Sequence, residues 1–217
     1  RAAHKAADAF LSKNLDDYDT MRDQPGPDRT SRMSPHLRFG EISPHQIWDA
    51  TRRTENIAST GSLETYRKEL IWREFAYHLL FHAPDLAQRN WRQGWDNFGW
   101  RADNDDAQAW KQGRTGEPIV DAAMRELYVT GRMHNRARMI VGSYLTKHLM
   151  TDWRVGLDWF ADCLVDWDPA ANAMGWQWIE CCGPHGDLHS WAVSHAYKAQ
   201  KLYPVSCYAN RFLSPRT

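Results

Sequence analysis

Four stretches of the chain gather side chains able to do chemistry. Thr30-Ser31-Arg32-Met33-Ser34 follows a Pro/Gly turn and sets hydroxyls, backbone N–H groups and a guanidinium within one short loop. Such a cluster can hold a phosphate, but taken alone it reads more readily as a plain capping loop. In Glu69-Leu70-Ile71-Trp72-Arg73, the acid, the indole and the guanidinium stand three and four residues apart, on one helix face. Together they suit a heterocyclic base; a salt-bridged face beside a core tryptophan would read the same. In Met133-His134-Asn135-Arg136-Ala137-Arg138-Met139, Asn135 and Arg138 share a face. Around them Arg125, Arg132, Arg136, Arg138, Lys147 and Arg154 stand against Glu126 and Asp152. A locally basic patch fits phosphate backbones, and a solvated face accounts for it as well. Finally, Asp166-Trp167-Asp168 leads to Asn172 and Trp176-Gln177-Trp178. Asp-x-Asp could ligate a metal, but too few partner ligands stand nearby, so no metal site is expected. The carboxylates suit hydrogen bonds from a ribityl chain or an adenine ring.

Composition narrows what frames these residues. At 217 residues the chain makes one large domain or two small ones. Its 42% hydrophobic and 25% charged residues are ordinary for a globular protein. A formal net charge of zero excludes a basic arm or histone-like binder. No run of apolar residues is long enough to span a membrane, and no secretory signal opens the chain. Cys163, Cys181, Cys182 and Cys207 form no C-x-x-C pair, so neither a zinc site nor a disulfide framework is expected, and the setting is a reducing cytoplasm. One count is abnormal: 12 Trp, about four times the usual share. A buried indole N–H needs a partner, so leucine fills a core more cheaply. The excess points to stacking or electron transfer. The chain opens at Arg1 directly on a helical pattern, which reads as a fragment of a longer protein.

The pattern is helical nearly throughout, with no alternating strand and no hairpin dipeptide. Helices are expected over 2–15, from Ser43-Pro44 to about 53, from a Ser62 cap to His82, from Pro118 to about 129, over 134–150 and over 155–165. Asp168-Pro169 reads as a further cap and first turn. Residues 19–34 read as a loop, and 88–117 have weak periodicity. The expected architecture is all-α, a compact multi-helix bundle with long functional connections.

Taken together, the motifs resemble the photolyase/cryptochrome flavoproteins. The matching stretches are T-S-R-M-S-P-H-L-R-F-G-E-I-S (30–43), E-L-I-W-R-E-F (69–75), G-R-T-G-E-P-I-V-D-A-A-M-R-E-L (113–127), M-H-N-R-A-R-M (133–139) and D-W-D-P-A-A-N-A-M-G-W-Q-W (166–178). The resemblance runs collinearly over 1–183, a helical FAD- and DNA-binding domain, with 184–217 a divergent C-terminal segment of it. It implies that an N-terminal α/β antenna domain, which would carry a folate or deazaflavin pigment, is absent from this chain.

The resemblance further implies a U-shaped FAD among the helices. Its contacts would be Tyr18, Thr30, Ser31, Arg32, Met33, Ser34, Asn135, Arg138, Asp166, Asp168 and Asn172. Asn172 would face flavin N5 and tune its protonation, and Arg138 would partner an Asp near N5. Trp100, Trp153 and Trp176 match the three-tryptophan relay of the family, with Trp176 nearest the flavin and Trp100 at the surface. Glu69, Trp72, Arg73, Asn135, Met139 and Trp178 match the pocket of enzymes that repair cyclobutane pyrimidine dimers. Trp72 and Trp178 would wall a flipped-out dimer, and Glu69 would hydrogen-bond a thymine. Arg22 and Arg136 match contacts to the phosphates flanking the lesion. The (6-4) repair enzymes carry His where Asn135 and Met139 stand, which argues against that substrate.

The implied function is light-driven splitting of cyclobutane pyrimidine dimers in damaged DNA by an intracellular monomer. Two alternatives stand beside it: a blue-light receptor with the same FAD and relay, and a helical nucleic-acid-binding fragment without flavin. The sequence departs from the family over 185–200, where Trp191 replaces an expected Arg, although Lys201-Leu-Tyr-Pro204 and Tyr208 restore the register. Arg132 replaces an aromatic residue, and Trp167 is larger than the usual residue between the two Asp.

Overall fold

The structure, a computed structural model, describes residues 1–56, 58–180 and 212–213. The departures at 185–200, Trp191 included, and Cys181, Cys182 and Cys207 lie outside the described residues. Among the described residues there is no strand, only an isolated parallel bridge between Arg101 and Thr151, so the fold is all-α as expected. Two compact units divide the chain, Arg1–His78 and Leu79–Thr217.

The first unit holds α1 (Ala2–Lys13), α2 (Tyr18–Met21), α3 (Ser34–Arg38), α4 (Pro44–Arg52) and most of α5 (Thr60–His82). Ala3, Ala7, Phe10 and Leu11 recur at helical spacing and bury the inner face of α1 with Ile47, Leu63, Tyr66 and Leu70. The Ser43 signal is a true capping box: its hydroxyl accepts from Gln46 N–H at 3.1 Å and the Gln46 side chain accepts from Ser43 N–H at 2.9 Å. Ser62 is not the cap of α5. Ser59 is, its hydroxyl accepting from Ser62 N–H at 3.2 Å. Ser62 is fully buried instead, and its hydroxyl donates within 2.9 Å of the Asp16 carbonyl and Asp19 carboxylate. The expected loop 19–34 is shortened at both ends by α2 and α3, helices too brief for any periodicity to show.

The second unit contains a short 3₁₀ turn (Gln93–Trp95), α6 (Asp105–Lys111), α7 (Pro118–Thr130), α8 (Asn135–Ser143), a π-helical turn (Tyr144–His148), α9 (Trp153–Cys163) and α10 (Pro169–Ile179). α6 falls inside the weakly periodic stretch; Asn104 caps it, accepting from Asp106 and Ala107 N–H at 3.0 and 3.2 Å. The helix expected over 134–150 changes hydrogen-bond register at Tyr144. The Thr146 hydroxyl donates to the Gly142 carbonyl at 3.0 Å, and Leu149 N–H reaches back to Tyr144 O. In the 113–127 motif, the buried Asp121 carboxylate accepts from Thr115 N–H, Thr115 hydroxyl and Gly116 N–H at 2.7, 2.7 and 3.0 Å. That motif builds the turn that starts α7. α7 ends at Gly131, whose φ of 68° closes the last turn.

The core of this unit gathers Trp110, Met124, Leu127, Leu145, Trp153, Phe160 and Trp176. Trp176 lies against α8 and α9 where both present glycine. A Cβ built on Gly156 would sit 2.1 Å from the Trp176 ring and 2.7 Å from Leu145, and one on Gly142 would sit 3.3 Å from that ring. Overpacking of this kind costs about 1–3 kcal/mol. Gly156→Ala is therefore expected to lower the unfolding free energy by that amount, read as a lower urea midpoint at unchanged slope, and to shift Trp176 fluorescence, while Gly142→Ala costs less. Equal stability of Gly156→Ala and the parent would contradict this packing.

Candidate functional site

Each unit carries part of the expected set. In the first, Tyr18 is buried at the start of α2, packed edge-on to Phe10 and Tyr66 at centroid distances of 5.5 and 5.4 Å. Burial pushes its phenol well above the ordinary value, although the nearby Arg22 guanidinium opposes this. Burial likewise pushes the Tyr66 phenol up to about 12, against a hydrogen bond with Ser31. Ser31 also accepts from Met33 N–H at 3.4 Å. Thr30 is half-buried, Met33 is buried and Ser34 is exposed at the first turn of α3. Arg32 holds a positive φ of 53° and pairs with Asp28 at 2.7 Å on the surface. A non-glycine residue in that conformation is strained and is a mark of functional loops.

Two expected substrate residues meet each other. Arg22 Nη1 donates to Glu69 Oε1 at 2.5 Å, with Arg22 mostly buried and Glu69 about a third exposed at 37%. Burial works to lower the Arg22 pKa, but the charge and hydrogen bond of Glu69, together with Tyr18 and Asp23, outweigh it, and the net direction is up. Trp72 is exposed on α5 and packs edge-on to Phe75 at 5.8 Å. Arg73 turns along its own helix: its guanidinium lies 4.7 Å over the Tyr77 ring and pairs with Glu74 at 2.7 Å.

In the second unit, α8 begins behind His134, whose Nδ1 accepts from Arg136 N–H at 3.1 Å. Arg138 Nη2 bridges both Asp166 oxygens at 2.9 Å, and its Nε donates to the Met133 carbonyl at 3.0 Å. The Asp166 side chain is only 8% exposed, so this pair is held away from bulk water. Asn135 is exposed at the start of α8, while Met139 is buried and its sulfur accepts from Arg136 at 3.1 Å. Asp168 caps α10, accepting from Ala170 and Ala171 N–H at 3.0 and 2.9 Å. One turn on, Asn172 is buried and its amide donates to the Asp168 carbonyl at 3.2 Å. Trp178 is half-buried two residues beyond Trp176, and Trp167 packs against the core.

The three tryptophans expected to form a relay sit in different surroundings. Trp176 is in the core, 5.0 Å from Phe160 and 6.4 Å from Trp110 by ring centroid. Trp153 is fully buried, with its indole N–H donating to Asn90 Oδ1 at 2.9 Å. Trp100 is half-buried, in an aromatic cluster with Trp95 at 6.1 Å and Phe98 at 4.3 Å. Among the described residues no group of His, Cys, Asp and Glu could hold a metal, and no helix is long and apolar enough to cross a membrane. Asn90, Gln177, Gly142 and Gly156 were not singled out by sequence. Gln177 stands inside a quoted motif, but nothing in its spacing shows that it reaches back to residues 86–91.

Comparison with known proteins identifies the family. Residues 66–214 match the family described as the FAD binding domain of DNA photolyase. The chain is 51% identical over 206 residues to the deoxyribodipyrimidine photo-lyase of Agrobacterium fabrum, covering 95% of this chain and 43% of that protein. A bacterial class III photolyase from Agrobacterium tumefaciens superposes with a TM-score of 0.92 at 44% identity, over 97% of this chain and 44% of that one. A Synechocystis cryptochrome superposes with a TM-score of 0.87 at 30% identity, over 98% and 44%. The chain thus spans less than half the length of these relatives. It belongs to the family of photolyase FAD-binding domains.

The buried phenols give a pH test of the first unit. Below pH 10, the ordinary phenol value, Tyr66 is neutral folded and unfolded. Above it the unfolded chain ionises first, the folded chain holds more protons, and stability falls until about pH 12. The expected loss through Tyr66 is roughly 2–3 kcal/mol, at 1.4 per pH unit. Urea titrations across that window should show the fall flattened in Tyr66→Phe; an identical slope in both proteins would refute the burial argument.

Proposed function

We propose that this chain is the flavin-binding and DNA-facing part of a light-driven repair enzyme that splits cyclobutane pyrimidine dimers, a deoxyribodipyrimidine photo-lyase. The observation that carries the reading is the pairing of Arg22 with Glu69 one helical turn from exposed Trp72. An acid held in place by a cation, beside an exposed indole, is what a flipped base needs for hydrogen bonding and stacking.

In this reading each unit offers donors suited to FAD. Thr30, Ser31, Arg32 and Ser34 offer hydroxyls and a cation to phosphates. Met33 and Tyr18 offer packing. Asp166, Asp168 and Asn172 offer a carboxylate, a helix-capping acid and an amide to sugar hydroxyls and ring N–H groups, with Arg138 neutralising Asp166, and Asn135 offers a second amide. Bound FAD would supply the light-excitable electron donor. In this reading Asn172 sets the protonation at flavin N5. Trp176, Trp153 and Trp100 refill the site with electrons from outside. Trp72 and Trp178 wall the dimer, Glu69 holds a thymine edge, and Arg73, Asn135 and Met139 complete the pocket. Arg22 and Arg136 take flanking phosphates. One electron delivered to the dimer weakens its ring bonds; the ring opens and the electron returns, with no net redox change. We assign the partner as damaged DNA, the oligomeric state as monomer and the setting as the cytoplasm. A folate or deazaflavin antenna would belong to a domain outside this chain.

A blue-light receptor with the same cofactor and relay is the second reading, favoured by likeness to the Synechocystis cryptochrome. Absorption spectra before and after blue light with a thiol decide first: near-equimolar flavin that bleaches supports the cofactor assignment, and a colourless protein refutes it in favour of a flavin-free helical fragment. Light-dependent loss of thymine dimers then supports repair, and its absence with intact flavin supports the receptor. Trp72→Ala should weaken dimer-containing DNA about 5- to 100-fold, the worth of one stacked base, with flavin content unchanged.

A further inference from the structure

The segment between α5 and α6 is wired to Trp153 through polar groups that the proposed function leaves unused. The Trp153 indole N–H donates to Asn90 Oδ1 at 2.9 Å, and Asn90 Nδ2 donates to Asp96 Oδ1 at 2.7 Å. A carboxylate accepts and does not donate, so Asp96 fixes the Asn90 amide with its NH₂ outward and its carbonyl oxygen on the indole. Asn90 is itself gripped on both sides by one buried side chain. Gln177 donates to the Arg89 carbonyl at 2.6 Å and the Leu86 carbonyl at 2.7 Å, and accepts from Trp91 N–H at 2.7 Å. The other two relay indoles differ: the Trp176 and Trp100 Nε1 atoms are buried without a hydrogen-bond acceptor.

Removing an electron from an indole places positive charge on the ring and turns its N–H into a stronger donor. A bond to that N–H gains strength in the oxidised state, and a carboxylate behind the acceptor gains more. We propose that Asn90 and Asp96 are positioning residues that stabilise the oxidised form of Trp153 and make it more easily oxidised than Trp176, with Gln177 holding Asn90 in register. This rests on the relay reading above. One electron leaves Trp153 toward Trp176, and the light-excited flavin is the final acceptor. The indole proton stays on nitrogen, because an amide oxygen is too weak a base to take it. One electron from Trp100 refills Trp153, and a thiol in solution refills Trp100.

The test uses the flavin-loaded chain carrying Trp100→Phe, in which the electron deficit stops at Trp153. After a laser flash, Asp96→Asn should speed the decay of the tryptophan cation signal about three- to tenfold, the step from a charge-assisted to a neutral hydrogen bond. Asn90→Leu should speed it more, and Asp96→Glu should restore the parent decay. A second readout needs no flavin. In the chain labelled with ¹⁵N-tryptophan, the Trp153 indole proton, assigned through Trp153→Phe, should move upfield in Asp96→Asn and return in Asp96→Glu. Unchanged decay in Asp96→Asn, or an unmoved indole proton, overturns the inference. Photoreduction that survives Trp153→Phe means instead that the relay reading itself has failed, and the inference falls with it.

Discussion

The contact of Trp176 with Gly156 is the constraint on which the second unit depends. A tryptophan ring can lie that close to a helix backbone only where the helix has no side chain, and α8 and α9 both supply a glycine there. Once the ring is seated, α10 packs against both α8 and α9, and Phe160, Trp110 and Leu145 fill the remaining volume. Helix propensity argues against glycine inside α9; packing overrides it. The placement of Asp166, Asp168 and Asn172 follows, because they lie just before and within the helix that Trp176 anchors.

A second level of order comes from polar groups rather than volume. Residues 83–104 contain no helix longer than a single turn, yet they are held by a few buried hydrogen bonds from Gln177 and Trp153. A buried amide left unsatisfied is costly, so a fully satisfied one gives a loop a single conformation. The same pattern recurs at Asp121, whose carboxylate orders the turn before α7.

Much of this was legible in the sequence. The all-α class follows from periodicity, and the caps at Ser43 and Asp168 follow from a hydroxyl or carboxylate ahead of proline. The pairing of Arg138 with an Asp was expected from the family resemblance. The rest was hidden for identifiable reasons. Ser59 and Ser62 are equally good caps on paper, and only the tertiary contact of Ser62 with Asp16 and Asp19 separates them. The π-helical turn depends on a hydroxyl competing for one carbonyl. The partnership of Arg22 with Glu69 joins residues 47 positions apart, a distance at which sequence spacing carries no information. Gln177 and Asn90 show no signal, because an amide bonded to backbone carbonyls or to an indole distant in sequence leaves no pattern.

The pairing of Arg22 with Glu69 also bears on selectivity. An arginine that already owns a carboxylate gives up one ion pair to form another, so its attraction for any passing phosphate is largely cancelled in advance. For a chain that takes up DNA, ordinary duplex would then gain little from this cation. A ligand that also offers Glu69 a new hydrogen-bond donor would recover both halves of the exchange at once. The self-pairing would act as a tariff on non-specific binding, waived only for a strand that presents a base and a backbone together.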